Sequence, residues 1–291
     1  MLCLCPQFDA SMHVSMSDKL VSSQPSLRIM HVVEACGGGV LEVVDTLTRG
    51  LAERGHASAL AFGVRPETPG DMATRIHDSV DLIPLPWINR RPAALAAGAL
   101  ALPGQVSRWK PDIIHLHSSF AGAAGALVLR RSTPMVYTPH GYAFSVPRSR
   151  LAALAITSVE RAVARRVSVI GTTSCSEAIE ATQITRARRV IAVPNGIAEL
   201  DAPGSREAWP PKERLVVAIG RPVPQRQPVA VARILQSVSA AADVAWIGGG
   251  YENDEGMKAL QAAGVPTTGW VGRDQVLDTL ERASVYLHWT A

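Results

Sequence analysis

RIMHVVEACGGGVLEVVDTLTRGLAERGHASALAF, residues 28–62, changes its periodicity twice. The β-branched run Arg28 to Val33 reads as a strand and ends in Cys36-Gly37-Gly38-Gly39. After the glycines, Val40, Val43, Val44, Leu47 and Leu51 recur at helical spacing. Gly55-His56 closes that helix with a C-cap glycine, and Ala57 to Phe62 resumes as a second strand. Strand, glycine turn, helix and strand in that order define a βαβ unit and a parallel sheet.

The same alternation extends in both directions. Short apolar runs follow at Leu82–Leu85, Ile113–Leu116, Met135–Tyr137, Val167–Gly171 and Val190–Val193, separated by segments long enough for helices. From Asp201-Ala202-Pro203-Gly204 to Pro210-Pro211 the chain turns polar and proline-rich, as a linker does. A second series then begins: strand Leu215–Ile219, helix Val229–Leu235, strand Val244–Ile247, helix Met257–Ala262, short strand Thr267–Trp270, helix Val276–Ala283 and strand Val285–His288. The expected class is α/β with two Rossmann-like doubly wound domains. Residues 1–26 form a loose N-terminal extension, 27–203 the first domain, 204–212 the linker, and 213–291 a second domain that is incomplete.

Composition narrows the function classes. With 291 residues, 47% hydrophobic and 19% charged, the chain can bury a large core. No apolar run approaches the roughly 18 to 20 residues that span a bilayer. Residues 1–26 lack both the basic and the continuous apolar region of a secretory signal, and Met16 is an alternative initiator. The spacing of Cys3, Cys5, Cys36 and Cys175 suits neither a zinc site nor a disulfide framework, which fits a reducing cytoplasm. The net charge of +4 is carried by the first 200 residues. It includes the pairs Arg90-Arg91, Arg130-Arg131, Arg165-Arg166 and Arg188-Arg189, suited to an anionic membrane, an anionic acceptor or a solvated helix face.

The groups able to do chemistry fall at strand ends, where open parallel sheets bind ligands. Gly37-Gly38-Gly39 allows backbone N–H groups to approach a diphosphate at a helix N-terminus. Glu42 stands where a dinucleotide fingerprint needs its third glycine, which weakens a nicotinamide cofactor reading. His115 and His117 share one strand face and end beside Thr138-Pro139-His140-Gly141. A metal between the two histidines lacks a convincing third ligand from that segment. Gly220-Arg221 and Arg226 place two cations at a strand-to-helix turn, able to neutralise a departing diphosphate. Gly248-Gly249-Gly250 repeats the glycine arrangement after another strand. Arg148 to Arg166 reads either as an ordinary helix packed on the sheet or as an interfacial one with arginines at both ends.

Taken in order, these motifs resemble the retaining glycosyltransferases of family 4, GT-B in fold, which build exopolysaccharide, capsule and lipopolysaccharide. The resemblance rests on Gly37-Gly38-Gly39, Leu-Ala-Glu-Arg-Gly-His at 51–56, Pro-Asp-Ile-Ile-His-Leu-His at 111–117 and Thr-Pro-His-Gly at 138–141. It continues with Val-Pro-Asn-Gly-Ile at 193–197, Gly-Arg at 220–221 and Ile-Gly-Gly-Gly at 247–250. It implies a UDP- or GDP-sugar donor, no metal or other cofactor, and a glycan acceptor, often lipid-linked, at the inner face of the cytoplasmic membrane. By the same resemblance His140, Arg221 and Arg226 are the catalytic candidates. Gly38, Gly39, Gly220, Gly248, Gly249 and Gly250 bind the donor, His117 lies on the acceptor side, and Asn195-Gly196 enters the interdomain hinge.

Two departures from the family pattern qualify that expectation. Arg226-Gln227 replaces a Lys-Gly pair, keeping charge but changing its geometry. The family's two glutamates, eight positions apart and contacting donor sugar and ribose, do not occur before Ala291. The expectation is therefore of a C-terminally truncated transferase with little or no turnover. Two alternatives stand beside it: a non-catalytic binding fragment or pseudogene product, and a sugar-nucleotide epimerase of similar architecture. Nucleic acid is not an expected partner.

Overall fold

The computed structural model describes residues 2–4, 25–142, 149–196, 213–250 and 254–289. The chain divides into two units, Met1–Leu200 and Asp201–Ala291. The expected linker at 204–212, Arg148 and Ile197 lie outside the described residues.

The first unit is a parallel sheet of eight strands in the order β1-β8-β7-β6-β5-β2-β3-β4. The strands are β1 (Leu2–Leu4), β2 (Arg28–Val33), β3 (Ala57–Gly63), β4 (Val80–Leu85), β5 (Ile113–His117), β6 (Met135–Thr138), β7 (Val169–Thr172) and β8 (Arg189–Ala192). Leu2–Leu4 pairs with Arg189–Ile191 at the sheet edge, so the expected loose extension begins instead with a strand. The chain runs outward from β2 to β3 and β4, then returns to β5 on the other side of β2. That reversal makes the β2/β5 boundary the topological switch point, where crevices open beyond the strand carboxyl ends.

Register fixes which residues share a face. His31 lies opposite His115 across the β2/β5 pair, and Leu116 opposite Tyr137 across β5/β6. Met30, Val32, Ile114, Leu116, Met135, Tyr137 and Ile170 consequently point to one face, and all are buried in the larger core. That core is closed by α3 (Pro92–Trp109), α4 (Ser119–Val128), α5 (Arg150–Ala164) and α6 (Cys175–Thr185). On the opposite face Val33, Leu60 and Phe62 pack with Leu41 and Val44 of α1 (Gly38–Glu53) and with Met72 of the short α2 (Met72–Arg75). Close helix approach is bought by missing side chains: a Cβ at Gly122 would strike the Tyr137 ring, and one at Gly125 the Leu116 methyls.

The second unit carries three parallel strands in the order β10-β9-β11. They are β9 (Glu213–Ile219), β10 (Asp243–Ile247) and β11 (Ala283–Leu287), with α7 (Pro228–Val238), α8 (Glu255–Ala262) and α9 (Arg273–Arg282). Ala218, Val231, Leu235, Trp246 and Leu260 form its main cluster. The expected strand at Thr267–Trp270 reduces to two isolated bridges, Thr267 to Trp246 and Gly269 to Gly248. Gly269 sits at φ 70°, which no extended strand accommodates. The last helix ends at Arg282, one residue earlier than its apolar spacing suggests, because Ala283 already pairs with Glu213.

Cys36 is free and buried, and burial pushes its thiol up to about 12, so it is an inert packing group. Cys175 is disulfide-bonded. That pairing departs from the absence of disulfides expected from spacing.

Two glycines of α3 provide a matched test of the packing. Gly98 faces the Trp87 indole so closely that a methyl cannot fit, whereas Gly104 in the same helix faces open space. Gly98→Ala should lower unfolding free energy by about 1–3 kcal/mol through overpacking. Gly104→Ala should leave it unchanged or raise it by about 0.5–1 kcal/mol. Urea midpoints of the two variants against the parent check both signs.

Candidate active site

At the switch point the glycine turn contributes the first element. Gly37 is the N-cap of α1 with no side-chain cap, and no acidic residue occupies the first helical turn. The leading N–H groups are therefore uncapped by side chains, a setting that favours an anion. A Cβ at Gly37 would meet the Glu67 carbonyl, so this glycine is required for packing. Gly38 and Gly39 have open space where a Cβ would stand, and Gly38 takes φ 54°. The steric demand thus falls one residue earlier than the pair singled out by sequence, while the open face belongs to that pair.

The ends of β5 and β6 supply the second element. Ser118 and His140 both adopt positive φ, 82° and 53°, although neither is glycine. Such strain, of order 1–3 kcal/mol for each residue, persists where surrounding structure holds it and collects at functional sites. Ser118 is held by its N–H to the Thr138 carbonyl at 2.9 Å and by its hydroxyl capping α4 at Ala121. Beside His140, Gly141 donates to Glu177 Oε1 at 3.0 Å, and Glu177 Oε2 accepts from Thr173.

His140 does not stand alone. Its Nε2 lies 2.8 Å from His117 Nδ1, and His117 Nε2 lies 3.1 Å from His31 Nδ1. His115 Nε2 is 2.8 Å from Thr138 Oγ1, and its ring is 3.9 Å from that of His117. Sequence placed His115, His117 and His140 on the rim and missed His31, an inner-strand residue flanked by apolar neighbours. Its only signal was an unneeded imidazole in a buried run. His117 has no exposed surface, and both of its ring nitrogens face the flanking imidazoles.

Desolvation holds all four imidazoles neutral. It lowers His31 to about 4, drives His115 and His117 well below the usual range with help from neighbouring rings, and lowers His140 despite the opposing Glu177 charge. Ring nitrogens of His31, His115 and His117 gather within 4.8 Å, adding from β2 the third ligand type that the segment alone lacked. Zinc, at about 2.0–2.1 Å from each ligand, would hold tetrahedral nitrogens roughly 3.4 Å apart. His31 Nδ1 and His117 Nε2 already lie 3.1 Å apart, closer than that, and the His31–His117–His140 contacts are those of rings sharing protons.

A second buried network flanks the glycine turn. Arg65 bridges Glu34 and Glu67, the latter at 3.2 Å, while Arg90 reaches Glu34 at 3.7 Å and lies over the Phe120 ring. Glu34 Oε2 and Arg65 Nε are buried without a hydrogen-bond partner. Sequence reasoning passed over Glu34 and Arg65 because their meeting depends on the β2/β3 register.

In the second unit, the loop after β9 and that after β10 interlock. Gly248, at φ 128°, leaves no room for a Cβ against the Gly220 carbonyl, and Trp246 Nε1 donates to that carbonyl at 2.7 Å. Gly249 lies against Trp270, and Gly250 against Pro222 and Asp254, so all three glycines are packing requirements as well as candidate donor contacts. Arg226 closes a one-turn 3-10 helix (Pro224–Arg226) and lies 3.2 Å from His288 Nε2. Tyr286 holds the same ring through Nδ1 at 2.9 Å. Arg221 is exposed and makes no side-chain hydrogen bond or ion pair among the described residues. Gln227 takes the left-handed conformation at φ 46° where the family pattern has glycine, so the backbone shape is retained at a cost in strain.

A parallel sheet with its polar groups collected at the switch point, followed by a second α/β unit, is the layout of the GT-B fold. Residues 37–199 match Glycosyltransferase Family 4, more than half of the chain, and the chain belongs to that family. A curated relative, described as an uncharacterized 41.2 kDa protein in the cps region of Klebsiella pneumoniae, is 24% identical over 150 residues. That match takes in 50% of this chain and 39% of the relative. Among solved structures, sucrose-phosphate synthase from Thermosynechococcus elongatus aligns with a TM-score of 0.68 at 15% identity, over 89% of this chain and 74% of that one. An α-glucosyltransferase in complex with UDP-glucose and DNA containing an abasic site aligns at 0.61 and 13%, over 91% and 73%. A putative UDP-N-acetylglucosamine 2-epimerase from Listeria monocytogenes gives 0.55 and 12%, over 90% and 74%. At these identities the structures report the fold alone.

The histidine cluster predicts a pH dependence of stability. His31 is neutral when folded down to about 4, whereas the unfolded imidazole protonates near 6.5. Its stabilising contribution is present above about pH 6.5 and is lost as the pH falls toward 4, on the order of 3 kcal/mol. Buried Glu160, whose carboxyl is raised mainly by desolvation, works in the opposite direction over the acid range. The imidazoles outnumber it. Unfolding free energy should therefore fall between pH 7 and pH 4.5, less steeply in His31→Phe, as read by urea titration at each pH.

Proposed function

We propose that the protein transfers a hexose from a UDP- or GDP-sugar to a growing, lipid-linked glycan with retention of anomeric configuration, in surface polysaccharide synthesis. The observation that carries this reading is His140, held strained at the carboxyl end of β6 with its Nδ1 free of protein partners among the described residues. Family membership and the cps-region relative support the class of product. In this reading the first turn of α1 approaches the donor diphosphate through Gly38 and Gly39. His140 hydrogen-bonds the donor sugar near the reacting carbon. Arg221 and Arg226 take up negative charge as the nucleoside diphosphate leaves, with Arg226 exchanging His288 for phosphate. Two guanidinium groups at that point supply the charge that a metal supplies elsewhere, so transfer is proposed to need no metal or other cofactor.

A panel of radiolabelled UDP- and GDP-sugars offered with membrane extracts tests the activity. The expected result is label in a lipid-extractable glycan, undiminished by EDTA, with the product anomer matching the donor by NMR. His140→Ala should lower kcat by about 10²-fold or more, the cost of removing one preorganised hydrogen-bond partner. Absence of transfer from every donor would remove the proposal, and epimerisation of free UDP-sugar without acceptor would replace it with the epimerase reading.

The acceptor is proposed to reside at the inner face of the cytoplasmic membrane, with peripheral contact through the first unit. No helix among the described residues is long and apolar enough to cross a membrane. Leu100 on α3, Leu127 on α4 and Leu151 and Leu154 on α5 are nevertheless largely exposed on neighbouring helices, with Arg130, Arg131 and Arg150 also exposed. Exposed leucines beside arginines suit an anionic surface. Co-sedimentation with vesicles containing phosphatidylglycerol should exceed that with phosphatidylcholine alone and fall several-fold in Leu151→Glu/Leu154→Glu. Equal partition to both vesicle types would sink membrane contact while leaving transfer untouched.

A further inference from the structure

His31, His117 and His140 form a hydrogen-bonded line with two loose ends. One end is His31 Nε2, buried and without a hydrogen-bond partner. The other is His140 Nδ1, without a protein partner among the described residues. Between them run His31 Nδ1 to His117 Nε2 at 3.1 Å and His117 Nδ1 to His140 Nε2 at 2.8 Å. A neutral imidazole has one N–H and one bare nitrogen, so three rings share three protons. Each inter-ring contact needs one donor and one acceptor, which leaves two consistent arrangements for the whole line.

In one arrangement every proton points toward the rim. His31 Nδ1–H donates to His117, His117 Nδ1–H donates to His140, and His140 presents Nδ1–H. In the other every proton points inward, His140 presents a bare Nδ1, and His31 carries an N–H with nothing to bond in the core. A buried, orphaned N–H is the rarer defect in folded proteins. The dry end of the line therefore selects the protonation of its wet end.

We propose that His31 and His117 are positioning residues that fix His140 as the Nδ1–H tautomer, so that His140 meets its ligand as a hydrogen-bond donor. The role of the ligand as a sugar rests on the glycosyltransferase reading; the tautomer does not. A donor at that position suits a hydroxyl or ring oxygen of a sugar and selects against a ligand group that is itself only a donor. The nearby Glu177 does not compete for the proton, because its oxygens already accept from Gly141 and Thr173.

The test reads the tautomer directly on the unliganded full chain, labelled with 15N-histidine, by long-range 1H–15N correlation at pH 7.5. His140 in the parent protein should show a protonated Nδ1 and a bare Nε2. In His31→Leu, which strips the line of its inner donor, the two nitrogens should move toward averaged shifts as both tautomers populate. His31→Gln, whose amide can donate to His117 Nε2, should restore the parent pattern. A parent His140 protonated on Nε2 would overturn the proposal, as would a His140 pattern identical in His31→Leu and the parent. Should His31→Leu fail to fold, the parent spectrum decides the tautomer. The His31→Gln spectrum then decides the coupling, since loss of the parent pattern in that variant counts against it. Because no sugar is present, failure of the transferase assay leaves these outcomes readable.

Discussion

The parallel pairing of β2 with β5 is the constraint on which the first unit depends. Chain order reverses across this one contact, so the helices after β2 and β5 pack on opposite faces of the sheet, the arrangement at which open sheets bind ligands. Register within the pair puts His31 opposite His115 and His117 opposite Val33, the last residue of β2. A one-residue slip of β5 would turn His115 and His117 into the aliphatic core and bring Ile114 out, parting them from His31 and stranding their ring nitrogens. The core of α3 to α6 and the site at the rim are thus two faces of one register.

Polar groups beneath the rim are organised in two different ways. The histidines are neutral and trade protons, so their burial costs hydrogen bonding and not charge. The Glu34–Arg65–Glu67 group keeps its charges and pairs them, with Arg90 at the edge. Both lie where apolar residues would stabilise more simply, since buried ion pairs return little net stability. Each presses on an element of the site: Glu67 offers the carbonyl that Gly37 packs against, and His117 carries His140.

Much of this fold was legible because the signals are local. A strand, three glycines and a 3.6-residue stripe specify β2, the turn and α1 without reference to anything distant, and the glycines of the 248–250 loop announce themselves likewise. What escaped depends on contacts across long separations. His31 meets His117 from 86 residues away, and Arg65 meets Glu34 only because β3 lies beside β2. Nothing in the composition of either strand distinguishes a histidine that bonds another from one that is merely tolerated. Thr267–Trp270 failed for the converse reason: a locally strand-like run is broken by Gly269 turning left-handed to let the chain bridge Gly248.

Backbone strain tells the same story from another side. Among the described residues, outside the α-helix C-caps Lys110 and Arg186, the non-glycine residues at positive φ are Ser118, His140 and Gln227. Ser118 and His140 follow the carboxyl ends of β5 and β6, and Gln227 closes the 3-10 turn in the loop after β9, at loops that the motif pattern marks for ligand contact. Gln227 is the most telling, since glycine would take that conformation freely and the chain holds glutamine there all the same. A loop kept in shape against its own preference is shaped by something other than local stability. For Arg226, immediately before it, the consequence is a fixed aim past Gly220 toward His288.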